Sequence, residues 1–189
     1  MNVLSLPAGY RRIGGVDLVR DRRAMLAVNL AALLLMALLF VLGIFLVPLS
    51  LRFQSGMGAL VKGILLLGAV ALYMVLHELV HGVLMRRYSG ARPRYGFNGL
   101  YAYAGSDAYF DKRSYRIIAL APVVLWGLVL LLLNLLLPRS WFWPVYLIQI
   151  LNLSGAAGDL YVCFLLHRLP ADLLVQDTGV AMSFFAAES

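Results

Sequence analysis

Residues 77–81 read His77-Glu78-Leu79-Val80-His81. Two histidines at i and i+4 lie on one helical face, one turn apart. From there their ring nitrogens can converge on a zinc ion at about 2.0–2.1 Å. The glutamate between them sits close to the same face, within reach of a proton on water activated by such a metal. The chain holds only three histidines and two glutamates, and this segment takes two of the first and one of the second. Residue frequencies alone would produce the pattern in a chain of this kind with an expectation on the order of 10⁻³ or less.

The elements that must position these groups are membrane spans. Of 189 residues, 62% are hydrophobic and 13% charged, against about 25% charged in soluble domains. A water-soluble core of this size cannot hide that much apolar surface. A single cysteine, Cys163, excludes an intrachain disulfide framework. Four stretches reach the roughly 20 apolar residues that a bilayer requires: 24–49, 63–85, 117–137 and 141–166. The last opens on Trp141-Phe142-Trp143, a cluster suited to a membrane interface. The expected fold is an all-α integral membrane protein, one domain over residues 1–189, with four transmembrane helices.

The net charge of +7 could suggest nucleic acid, but its distribution argues against that. Thirteen of the sixteen Lys and Arg lie in the N-terminal segment, the 86–116 connection and the 167–189 tail. The positive-inside rule makes all three cytoplasmic, so the expected location is the cell membrane, crossed several times with both termini inside. No nucleic-acid partner is expected. The 86–116 loop is rich in Tyr and Phe. The alternation Tyr95, Phe97 and Tyr101, Tyr103 around Asn98-Gly99 predicts a short β-hairpin, in a loop otherwise read as interfacial.

A catalytic zinc site usually has three protein ligands. Of the nine acidic residues, only Glu78 and Asp159 fall within spans, where ionisable groups are costly and presumed functional. His77 lies nine residues before Arg86 and Asp159 nine before Arg168. These arginines mark the same membrane face for two spans running in the same direction. Both groups therefore sit roughly 13 Å deep at 1.5 Å per residue, which favours Asp159 as third ligand and a site between the second and fourth helices. Asp107, Asp111, Asp172, Asp177 and His167 compete only if a loop folds back. Asn152, on the same span, could hold an unfolded substrate backbone or pair across helices. The small residues of Ser154-Gly155-Ala156-Ala157-Gly158 suit close helix approach.

His77-Glu78-Leu79-Val80-His81-Gly82, the segment from Asn152 through Gly158-Asp159 to Tyr161, the tail Gln176-Asp177-Thr178-Gly179 and the opening Leu6-Pro7-Ala8-Gly9-Tyr10 resemble a family of bacterial membrane proteins described as zincin peptidases. More distantly, the chain is similar to site-2 proteases, which cut substrates within or near the membrane. The resemblance implies His77, His81 and Asp159 as ligands to one zinc ion, Glu78 as base and Asn152 as a substrate-holding residue. It departs from the site-2 pattern in lacking prolines before the aspartate and a glycine after it, and in a shorter Asn-to-Asp spacing. The expected partners are the bilayer and a membrane-embedded or membrane-proximal protein or peptide. Two other readings use the same residues: a non-catalytic metal-binding sensor, scaffold or pseudo-protease, and a small transporter relaying protons through Glu78 and Asp159.

Overall fold

A computed structural model describes residues 2–17, 20–48, 57–97 and 102–188. Its long helices follow the apolar runs. Helix α1 spans Arg22–Leu46 and is capped by Asp21, whose carboxylate accepts from the Arg23 and Ala24 amides. Helix α2 spans Met57–Ser89 and α3 spans Lys112–Leu136. Asp111 caps α3 by accepting from Ser114 N–H at 2.8 Å. The fourth apolar stretch begins with a 3-10 turn, Arg139–Trp141, and divides into α4, Phe142–Gly155, and α5, Ala157–Arg168. Among the described residues, four helical segments can cross a membrane by length and composition. Their lateral surfaces agree with that: Gly43 alone is buried on α1, and leucines such as Leu33, Leu38, Leu67 and Leu132 are more than half exposed, as lipid contact requires. Gly43 is where α1 meets α4. A Cβ there would overlap the Tyr146 ring, and Tyr146 donates to Leu39 O at 2.8 Å.

The all-α expectation needs correction, because among the described residues six strands cap one end of the bundle. Strands β1 (Tyr10–Val16), β4 (Tyr109–Asp111), β5 (Leu174–Asp177) and β6 (Met182–Ala187) form an antiparallel sheet in the order β1-β6-β5-β4. Its register sets Tyr10 opposite Ala187 and Phe110 opposite Val175, and Val3 adds a bridge to Tyr109. The N-terminal segment, the 86–116 connection and the tail thus satisfy one another's backbone groups. Beneath this sheet lies a core that includes Phe110, Ile118, Val162, Leu166 and Val175. The apolar protein interior is therefore concentrated at the sheet–helix junction, while much of the helical surface faces outward.

The predicted hairpin is present. Strands β2 (Arg94–Phe97) and β3 (Ala102–Gly105) pair antiparallel, with Tyr95 opposite Ala104 and Phe97 opposite Ala102; the Asn98-Gly99 turn itself lies outside the described residues. The hairpin docks on α2 at Gly82, where a Cβ would overlap the Tyr95 hydroxyl. Gly179, at φ +86°, and Gly105 bring the tail turn against it: side chains there would strike Tyr103 and the Thr178 backbone respectively. Thr178 closes that turn by donating to Ala181 O at 2.9 Å.

A candidate metal centre between α2 and α5

Tyr73, His77 and His81 repeat at i, i+4 and i+8 and so share one face of α2. Facing them is Asp159, in the first turn of α5. It owes that place to the break after Gly155: Ser154 Oγ bonds back to Ile150 O at 2.8 Å, a contact that tends to bend helices, and Ala156 interrupts the helix before α5 restarts. The expected continuous helix over 141–166 is therefore two helices. The break places the Asp159 carboxylate near a helix N-terminus, where the macrodipole favours negative charge. Asp159 Oδ2 lies 3.7 Å from both His77 Nε2 and His81 Nε2. One donor atom from each residue falls within 4.8 Å of the others, a spacing that could hold a metal ion.

The outer hydrogen bonds fix which nitrogen faces the centre. His81 Nδ1 lies 3.0 Å from Ile118 O. A carbonyl can only accept, so Nδ1 carries a proton, and in the neutral ring the lone pair falls to Nε2. That carbonyl is available because Pro122, four residues on and inside α3, has no N–H to give it. His77 Nδ1 lies 2.9 Å from the Tyr73 hydroxyl, which donates to Asn152 Oδ1 at 2.9 Å. Asn152 Nδ2 in turn donates to Val123 O at 3.0 Å.

The donor set suits zinc: two imidazoles and one carboxylate are the protein ligands that catalytic zinc sites use beside water or substrate. Both histidines are about nine-tenths buried, whereas the Asp159 side chain is 26% exposed. Glu78, half-buried, stands beside the Ala104 backbone N–H of β3 and in the field of both histidines and Asp159.

Other candidates lie elsewhere. Asp107 pairs with Arg94, Asp111 caps α3, and Asp172 and His167 are exposed. Asp177 accepts from the Tyr115 hydroxyl and from Gly179 N–H; burial pushes its carboxyl above the ordinary range. Asn152 is fully buried, and both ends of its amide are engaged. It stands behind His77, on a different helix from Asp159. Sequence reasoning passed over Tyr73 and Pro122. The i−4 spacing of Tyr73 from His77 and the presence of a proline inside a span were the signals available.

The family described as "Putative zincin peptidase" matches residues 70–174, more than half of the chain. The chain belongs to that family. The matched region runs from just before Tyr73 to the start of β5 and so includes both histidines, Glu78 and Asp159. A protein of Pyrococcus woesei, "Uncharacterized 24.7 kDa protein in gap 5'region", is 30% identical over 116 residues, which cover 59% of this chain and 50% of the relative. The chain thus spans about half the length of the curated relative it matches. No solved structure matches it significantly.

Proposed function

We propose that this member of the zincin peptidase family is a zinc-dependent intramembrane metallopeptidase of the site-2-protease type. His77, His81 and Asp159 hold one ion, and Glu78 serves as base. The observation that carries this reading is the convergence of His77 Nε2, His81 Nε2 and Asp159 Oδ2 in helices able to cross a bilayer. Glu78 belongs to the turn that bears both histidines.

A bound zinc ion supplies Lewis acidity, polarising a peptide carbonyl and making water nucleophilic near neutral pH. Glu78 takes the proton of the attacking water and returns it to the amine that leaves. A membrane helix hides its carbonyls in its own hydrogen bonds, so a substrate must open locally before it is cut. The β2–β3 hairpin, docked within two turns of the site, offers strand edges that can pair with the opened segment. The site lies closer to the end of the bundle that carries the sheets and most of the positive charge. Cutting near the cytoplasmic face follows from the positive-inside rule.

The test uses the full chain in lipid vesicles with a panel of single-span helical peptides, read by mass spectrometry. Wild type is expected to cut within the half of a peptide nearest the sheet-bearing end. Glu78→Gln is expected to retain zinc and lose activity by about 10²–10⁴-fold, the range for a general base. Cleavage at the wild-type rate by that variant contradicts the mechanism. Zinc-loaded wild type that cuts none of the panel favours the non-catalytic metal-binding reading.

A further inference from the structure

We propose that Tyr73, held by Asn152, is a positioning residue that fixes His77 in the one tautomer able to bind a metal. The inference rests on the reading of His77 as a ligand and adds to it a second residue and a direction of hydrogen bonding. A tyrosine hydroxyl has one proton. Asn152 Nδ2 points at Val123 O, 3.0 Å away, and turning the amide over would set two acceptors against each other. Its Oδ1 is therefore the end facing Tyr73, and the Tyr73 proton is committed to it at 2.9 Å.

With its proton committed, Tyr73 Oη can meet His77 Nδ1, 2.9 Å away, only as an acceptor. His77 must then carry its proton on Nδ1, which leaves the Nε2 lone pair facing Asp159. Were the Tyr73 proton released, the hydroxyl could donate to Nδ1 instead. The ring proton would then move to Nε2 and block coordination. Asn152 is 0% exposed, so water does not compete for its amide.

The experiment measures zinc affinity by chelator competition on the detergent-purified full chain, alongside the visible spectrum of the cobalt-substituted protein. Tyr73→Phe is expected to weaken zinc by about 10–100-fold, the range for outer partners of ligating histidines, and to shift the cobalt bands. Asn152→Leu frees the Tyr73 proton and should weaken zinc at least as much. The double variant Tyr73→Phe/Asn152→Leu should bind zinc no more weakly than Asn152→Leu alone, because it lacks the misdirected hydroxyl. Packing roles would instead give additive losses.

In a His77→Ala background, Tyr73→Phe should cost nothing further, and this comparison stands even if Asn152→Leu does not fold. If His77→Ala weakens zinc but Tyr73→Phe leaves affinity and spectrum unchanged, the positioning role is overturned while the ligand reading survives. If His77→Ala itself leaves zinc affinity unchanged, both fail.

Discussion

The two flanks of the histidine-bearing face of α2 support their rings by different means. On the α3 side, His81 rests on a backbone carbonyl that Pro122 leaves free. On the α4 side, His77 meets a chain of side chains, Tyr73 to Asn152, that ends on the backbone at Val123. A carbonyl can point only one way in the bond, because it has no proton to give. A hydroxyl can reverse its role, so that flank needs a second residue to fix its direction. Where support comes from backbone, one proline suffices; where it comes from side chains, a relay is required.

The largest expected effect should not distinguish the flanks. His77→Ala and His81→Ala each remove a donor atom and should each weaken zinc enough to bring its content well below one ion per chain, measured by elemental analysis of purified protein. A chain that keeps full zinc after either change would mean the flanks do not serve a common ion.

Pro122→Ala sharpens the contrast. It gives Ile118 O an intrahelical partner, yet a carbonyl has two lone pairs and can keep His81 as well. Zinc affinity should fall by less than about tenfold, below the usual range for outer partners. Thermal stability should rise, since proline costs up to ~3 kcal/mol against alanine inside a helix. Chelator competition and thermal unfolding together check this pair of opposite signs.

Gly105→Val tests the extramembrane cap. Its side chain must displace the Thr178 backbone, an overpacking that costs about 1–3 kcal/mol. It should lower the unfolding temperature and impair cleavage while leaving zinc content intact. Loss of zinc would instead mean that the cap helps build the metal centre.

The smallest effect is at Asp177. Burial raises its folded carboxyl above the ordinary value of about 3.9, so the folded state binds the proton more tightly than the unfolded state. The stability this contributes is present below the ordinary value and is lost as pH rises through the folded one. Asp177→Asn keeps an acceptor for Tyr115 and has no such dependence. The difference in unfolding temperature, wild type minus variant, should therefore fall from about pH 4 upward. A difference that rises with pH would contradict the assignment.

The helical half was legible because lipid enforces long apolar runs, and the centre because few acids are tolerated among them. His77, His81 and Asp159 were brought together by counting back from Arg86 and Arg168, and α5 is continuous over the stretch that count used. The cap was hidden for physical reasons. Its strands are three to seven residues long, and β1 pairs with β6 at the opposite end of the sequence. The exposed run within β1 shows no alternation. The β2–β3 hairpin was the exception, since Asn98-Gly99 and the flanking aromatic alternation signalled it locally, although Phe97 pairs with Ala102 rather than with Leu100 as a two-residue turn would set it. The break before Asp159 was masked because Ser154 through Gly158 read equally well as a close-packing stripe. The direction of the Tyr73 hydroxyl depends on three helices at once and has no signature in one.

The account's central claim is that α2 and α5 together hold one zinc ion. It is tested most directly by the metal content of the purified wild-type chain against Asp159→Ala. The expected result is one zinc per wild-type chain and a large loss in the variant, with both proteins monodisperse. Wild type without zinc, or undiminished zinc in Asp159→Ala, would contradict it.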